Sequence, residues 1–501
     1  MSDLSPGWAE ATVADVASAM FDGPFGSALK TSDYTSDGVR VARLENIGHL
    51  RFRDELTSYV SQEKFEALAR HTLRAQDVLF SSFVDKQTRV CLVPEALDGR
   101  MINKADCFCI RPDTSVCDPS WLAYTLAAPA SYETFCGSVR GITRPRIGLR
   151  DLAAFSLSLP PLAEQRRIVA KLDALTARTA RARADLDRVE KLAEQQRRTI
   201  LSSAFRGELT KHWREARAAG PTPARDLRSE LADHRASFIG EVRTSRRGPT
   251  ADPEAGRKPV QLGELPPSWA CVPLEEVTDP RRLIQYGILK PGDHCEDGVP
   301  YVKVMNIRGG VVELEKIRRT TPEIHAAYRR SSLRAGDLLL TIRGTVGRVA
   351  VVPAELDGGN ITQDSVRIAV LPNVSARYVY WFLHSPAAQT YFQVNQKGVA
   401  VRGINVGDVR PMEIALPPED EQVEIASRID HAFAEIDRLV AEAAAARRLL
   451  DRLDQAILTK AFRGELVPQD PADEPASALL DRIRAERAAA PAKGRRGRRA
   501  A

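Results

Sequence analysis

Ala204-Phe205-Arg206-Gly207-Glu208-Leu209 returns letter for letter as Ala461-Phe462-Arg463-Gly464-Glu465-Leu466. Ahead of each copy lies a long stretch whose apolar positions alternate steps of four and three. In the first it runs Ile168, Leu172, Leu175, Thr179, Ala182, Leu186, Val189, Ala193, Gln196 and Ile200. In the second it runs Ile425, Ile429, Ala432, Ile436, Leu439, Ala443, Ala446, Leu450, Leu453 and Ile457. That spacing is a heptad seam held for more than four heptads, which predicts a coiled coil. A Pro-Pro pair opens each stretch and an early glutamate suits the positive end of the helix dipole. Gly207 and Gly464 stand where a helix-ending glycine belongs, with Arg206 and Arg463 in the last turn.

Working outward, the repeat covers nearly the whole chain. Pro6-Gly7-Trp8 answers to Pro267-Ser268-Trp269, and Leu44-Glu45-Asn46-Ile47 to Val304-Met305-Asn306-Ile307. Leu73-Arg74-Ala75-Gln76-Asp77 matches Leu333-Arg334-Ala335-Gly336-Asp337, and Leu159-Pro160-Pro161 with Glu164-Gln165 matches Leu416-Pro417-Pro418 with Glu421-Gln422. The offset drifts only from 261 (Pro6 to Pro267) to 257 (Ala204 to Ala461). Between landmarks the residues differ widely, as expected of one task aimed at two targets. Short alternating apolar stretches with Asp-Gly and Pro turns predict strands, and Trp121–Leu126 and Tyr378–Leu383 predict a buried helix in each globule, so the class is α+β.

The expected organisation is a first globule (1–158), a long helix (159–210) and a short helix with a polar linker (211–262). A second globule (263–415), a second long helix (416–467) and a short helix with a basic tail (468–501) follow. A helix of about 40 residues is about 60 Å long, more than one globule can bury, so the natural partner of each helix is the other. A pseudo-twofold relation between the halves makes the pair antiparallel, a rod with a globule at each end. The tail Lys493–Arg499 is expected to be a solvated segment or a non-specific grip on phosphates.

The 501 residues carry a net charge of +6 on 28% charged residues, which permits nucleic acid without requiring it. Arginine-rich cations suit bidentate recognition of phosphates and bases, and also suit an Arg-biased genome. No apolar run is long enough to span a membrane, and the N-terminus lacks a secretory layout, so a cytoplasmic protein is expected. Seven cysteines form no metal pattern. Cys107 and Cys109, spaced to face one way on a strand, are expected to be buried apolar thiols, and no metal site is expected. No phosphate-binding Gly-Lys loop occurs, and neither metalloprotease, hydrolase nor paired-CxxC motifs are found. A chain without catalytic residues is the natural expectation.

The sequence resembles the specificity (S) subunits of type I restriction–modification systems. The resemblance rests on Gly23-Pro24-Phe25-Gly26-Ser27 with Leu29-Lys30, the Asn-Ile turns, the Leu-Arg-Ala-x-Asp strands and Leu-Pro-Pro-x-x-Glu-Gln. The run Ala461–Asp470, followed by Glu474-Pro475-Ala476 and Ile483–Glu486, adds to it. It implies two target-recognition domains, each taking half of a split double-stranded DNA sequence, with the paired helices fixing the gap. It also implies docking to methyltransferase (M) subunits and, through them, to restriction (R) subunits. AdoMet, ATP and magnesium then belong to those partners, and this chain binds no cofactor. The second globule departs from the pattern in carrying Tyr286-Gly287-Ile288-Leu289-Lys290 at the glycine loop.

DNA reading needs donors and acceptors on loops backed by cations. In the first globule the candidates are Ser82, Lys86, Gln87 and Arg89, then Arg140, Thr143, Arg144 and Arg146. In the second they are Thr341, Arg343, Thr345 and Arg348, then Lys397 and Arg402. Asn46 and Asn306 are expected to stabilise turns, and Asp77 and Asp337 to set the turn before a strand. Two competing readings are a protein-binding scaffold built on the heptad helices and an enzyme with an unrecognised site.

Overall fold

The computed structural model describes residues 4–84, 87–137, 146–217, 224–239, 257–398 and 402–489. The chain divides into two compact units, Met1–Leu186 together with Ala444–Ala501, and Asp187–Ala443. Each unit therefore holds one globule and half of each long helix.

The principal elements of the first unit are β1 (Ala9–Thr12), β2 (Ala17–Phe21), β3 (Val39–Ala42), β4 (Val78–Ser81), β5 (Val90–Leu92), β6 (Met101–Asn103), β7 (Cys107–Pro112), α1 (Pro119–Ala127) and β8 (Ser156–Leu159). They lead into α2 (Leu162–Ala204). The second unit continues with α3 (Ala224–Ile239), β9 (Ala270–Pro273), β10 (Gln285–Tyr286), β11 (Val299–Val302), β12 (Leu338–Thr341), β13 (Val349–Val351), β14 (Asn360–Ile361), β15 (Ser365–Ile368), α4 (Ala376–His384) and β16 (Glu413–Leu416). Then come α5 (Glu419–Phe462) and, back in the first unit, α6 (Ala476–Ala489).

Both globules are built to one plan. Four antiparallel strands lie in the order β2-β7-β4-β5 in the first and β10-β15-β12-β13 in the second. Against them sits a second sheet, of five short strands in the first globule and three in the second, in which β3 runs parallel to β6, and β11 parallel to β14. The buried helix starts sharply in each case. Asp118 caps α1, accepting from the Ser120 and Trp121 amides, and Ser375 caps α4. Trp121 and Tyr378 are fully buried in the respective cores. Cys107 and Cys109 are likewise buried, in the same cluster, and burial pushes the Cys107 thiol far up.

The duplicated aspartates have a structural task. Asp77 accepts the Arg74 amide at 2.8 Å and is gripped at both oxygens by Arg111. Asp337 accepts the Arg334 amide at 2.7 Å and takes Arg282 in the same way. Asn46 and Asn306 close the turns at Arg43 and Lys303 through their side-chain oxygens.

Within each unit the two helix halves run antiparallel. In the first, Ile168 and Leu172 share a core with Ile457 and Ala461, while Arg183 reaches back to Asp454 (2.6 Å) and Asp451 (2.7 Å). In the second, Leu201 and Ala204 pack with Ile425, Ala426 and Ile429, and Arg197 pairs with Asp437. Leu175, Leu186, Val189, Ile200 and Leu450 are half-buried, and Ile436 is buried. The heptad pattern slips in places, however. Leu439 and Leu453 are 52% and 47% exposed, and Gln196 is exposed as well. The less exposed neighbours Val440, Asp454 and Arg197 take the inward positions. A helix of 3.6 residues per turn drifts by about 20° per heptad away from a strict seven-residue repeat. Two consecutive steps of four, as from Ile425 to Ile429 to Phe433, offset that drift.

Leu172→Ala is expected to cost about 2–5 kcal/mol through the cavity it leaves, whereas Leu453→Ala costs about 0.5 kcal/mol or less. Urea unfolding midpoints of the full chain compare the two; equal losses would restore Leu453 to the seam.

Candidate nucleic-acid interface

In the first unit β2 and β4 end, and β5 and β7 begin, at the same edge of the four-stranded sheet. The connections after Phe21, between Ser81 and Val90, and before Cys107 therefore emerge together. The parallel pair β3 and β6 delivers its ends to the same place, where the Lys104 amide donates to Ala42 O at 2.9 Å.

This edge is tied together at one corner. Asp22 accepts the Gly23 amide at 2.7 Å and the Asp106 amide at 3.0 Å. Burial pushes its carboxyl up to about 6, with the neighbouring Asp106 charge acting the same way. Asp106 has a left-handed backbone (φ 70°) and accepts from Ser82 Oγ at 3.0 Å and from Arg146 at 3.4 Å. The Arg146 guanidinium also lies 4.3 Å from the centre of the Phe83 ring. Gly23 is obligatory, because a Cβ there would sit 2.1 Å from the Lys104 carbonyl carbon.

Ser82 is 1% exposed with its hydroxyl committed to Asp106, so it is a strut of the edge and not a group offered outward. Arg89 is half-buried and donates to Leu44 O at 3.4 Å. Gln87 is exposed, and Arg146 keeps 47% of its side chain in solvent. Lys86, Arg140, Thr143 and Arg144 lie outside the described residues.

The second unit repeats the edge with different chemistry. β10 and β12 end, and β13 and β15 begin, together. Thr341 is fully buried; its hydroxyl donates to Thr345 O and accepts the Arg348 amide at 2.9 Å, closing the loop between them. Like Ser82, it shapes the loop and presents nothing. Arg348 is turned back onto Ile307 O at 3.0 Å. Arg343, Thr345 and Arg402 are exposed. Isolated bridges join Gly403 to both Arg343 and Lys397, which gathers the two predicted clusters into one patch. Lys397 pairs with Asp408 at 3.0 Å while 55% of its side chain stays exposed.

Ladder register also resolves the apparent departure at the glycine loop. Cys109 pairs with Phe21 and with Leu79, as Arg367 pairs with Gln285 and with Leu339. Counting on, Tyr286 replaces Asp22 and Gly287 stands at Gly23. A Cβ on Gly287 would lie 1.9 Å from Ile361 O, so the glycine is kept for the same reason. The offset is larger here than over the flanking landmarks, which hid the match in the sequence.

Two globules of one plan, each presenting a loop edge with exposed arginine, are the architecture of paired recognition modules. The chain matches the profile of the Type I restriction modification DNA specificity domain over residues 86–191 and 276–442, and it belongs to that family. It is 30% identical over 376 residues to the type I restriction enzyme EcoBI specificity subunit of Escherichia coli, covering 72% of this chain and 71% of the relative. It is 23% identical to the StySPI specificity subunit of Salmonella potsdam over 97% of this chain and 96% of the relative. Among solved structures, a chain from a study of type I R-M system assembly superposes with a TM-score of 0.62 at 21% identity, covering 93% of this chain and 100% of that one. The HsdS subunit from Thermoanaerobacter tengcongensis gives 0.52 at 21% identity over 93% of this chain and 98% of its own. Among the described residues no helix is long and apolar enough to cross a membrane, and no cluster of His, Cys, Asp or Glu could hold a metal ion.

The Asp22 corner has a pH signature. Its folded value lies above the ordinary 3.8, so the protonated corner is favoured and its contribution falls as pH rises from 3.8 to about 6. The stability of the wild type relative to Asp22→Asn should therefore decline across that window in thermal unfolding; a pH-independent difference would show that the carboxyl is not held in this way.

Proposed function

We propose that this chain is the DNA-recognition subunit of a type I restriction–modification complex and reads a bipartite target, one half-site per unit. The observation that carries this reading is the pairing of one edge architecture with two sets of exposed groups. Gln87 and Arg146 stand at the first edge, and Arg343, Thr345 and Arg402 at the second. A shared scaffold with divergent loop chemistry is what two half-sites of different sequence require. The struts Ser82 and Thr341 hold the loops, which lets the exposed side chains meet base edges from a fixed backbone.

In this reading the paired helices set the gap between half-sites, and the chain itself performs no chemistry. Methylation and cleavage are directed through M and R subunits, which carry AdoMet, ATP and magnesium. The protein acts in the cytoplasm, on double-stranded DNA. Family membership and the likeness to named specificity subunits support this assignment.

Arg343→Ala tests the base-reading part. If the guanidinium makes a bidentate base contact, methylation mapping of the assembled complex should show discrimination relaxed by about 1–3 kcal/mol at one position of one half-site. A uniform loss over all sites would assign Arg343 to a phosphate instead.

A further inference from the structure

Phe25 and Leu289 each stand two residues beyond the glycine that its own loop requires, in loops whose roots are matched by ladder register. Phe25 is 62% exposed and Leu289 46% exposed. A single exposed apolar residue is ordinary on a protein surface. Here, though, each of two loops that leave the same edge of its sheet carries an exposed apolar residue two positions past its glycine.

The surroundings show that the exposure is not a failure of packing. Leu29 in the first loop and Ile288 in the second are buried, at 5% and 0%. Each loop thus inserts one apolar side chain into its unit and leaves another outside. The path is fixed at its root by the close approach of Gly23 and Gly287 to the neighbouring strand end. In the first unit Asp22 further binds the loop to Asp106, and through it to Ser82 and Arg146. Gly26, with φ 53° and open space around it, lets the chain turn directly after Phe25. Both tips leave the sheet edge that carries the exposed cations.

Resting on the DNA-reading function proposed above, we propose that Phe25 and Leu289 are matched apolar contacts to bases, Phe25 in the first half-site and Leu289 in the second. An apolar side chain has nothing to offer a phosphate. Its partners in a duplex are the thymine methyl group and the faces of bases at a step it can enter. The arginines at each edge then supply polar reading and backbone grip, and the apolar tip supplies discrimination that hydrogen bonding cannot. The contact strengthens binding to the target and not to arbitrary DNA, because non-specific affinity comes from phosphates.

The test uses the full chain assembled with its methyltransferase subunits and two duplexes. One carries the target found by methylation mapping, and the other is the same duplex with both half-sites scrambled. Phe25→Ala should weaken binding to the target on the order of tenfold and change binding to the scrambled duplex by no more than about twofold. Leu289→Ala should do the same. On a duplex with only the first half-site scrambled, Phe25→Ala should have no effect while Leu289→Ala keeps its own. Phe25→Leu should restore most of the affinity. Because both residues are exposed, unchanged thermal unfolding of the variants verifies that the fold is intact. Wild-type affinity for the target in the alanine variants, or equal losses on target and scrambled duplexes, would overturn the proposal. If the wild-type complex itself does not prefer the target, the DNA-reading function fails, which is a different result from failure of the apolar tips alone.

Discussion

The fold depends on a buried bond between an indole and a carboxylate, made twice. Trp8 donates from Nε1 to Glu164 at 3.1 Å, and Trp269 donates to Glu421 at 3.0 Å. Each glutamate stands in the first turn of a long helix, and each tryptophan precedes the first strand of a globule. The adjacent glutamine completes the lock. Gln165 bonds Val116 O and Pro160 O and accepts the Asp118 amide; Gln422 bonds Pro417 O and accepts the Ser375 amide. One Glu-Gln pair thereby joins the start of the helix, the start of the globule and the cap of the buried helix. Charge-assisted hydrogen bonds of this kind contribute roughly 1.5–3 kcal/mol, and removing one partner leaves a buried charge. The two copies are not identical. Glu421 also holds Thr210 and Arg214, while the second oxygen of Glu164 has no such partners among the described residues.

That lock explains why the fold was legible in the sequence. The tryptophan and Leu-Pro-Pro-x-x-Glu-Gln recur because the tryptophan, glutamate and glutamine are buried and bonded to one another or to buried backbone, so divergence is suppressed. Ala-Phe-Arg-Gly-Glu-Leu recurs for a comparable reason. Gly207 and Gly464 adopt φ 75° and 71°, and the following amides bond back to Ser203 O and Lys460 O, which closes each helix end. Antiparallel pairing of the helices follows from the pseudo-twofold repeat, but the finer register of the seam does not follow from its apolar pattern. Whether Leu439 or Val440 faces inward depends on a drift of a fraction of a turn, which an apolar pattern rich in alanine does not encode.

The candidate interface was only partly legible. Loop composition pointed to residues that the fold gathers at one edge of each sheet, since Ser82, Arg146, Thr341 and Arg343 all lie there. Composition could not separate struts from presented groups, because a hydroxyl in a polar loop looks the same whether it bonds its own backbone or faces solvent. Ser82 and Thr341 are struts; Gln87 and Arg343 are not. Nor could spacing reveal the Asp22–Asp106 corner, whose members are 84 residues apart and meet only through strand order. The match of Gly287 to Gly23 is set by ladder pairing and not by the offset that governs the rest of the repeat, so the sequence alone shows only the departure around it.

The central claim is that one chain supplies two different readers and a spacer between them. Deleting one heptad from each long helix at facing positions, residues 180–186 and 449–455, tests it most directly. The pair would shorten by about 10 Å. Methylation mapping of the complex should then return the original two half-sites with a gap reduced by about three base pairs, at 3.4 Å per pair. Altered half-site letters with an unchanged gap would contradict the account.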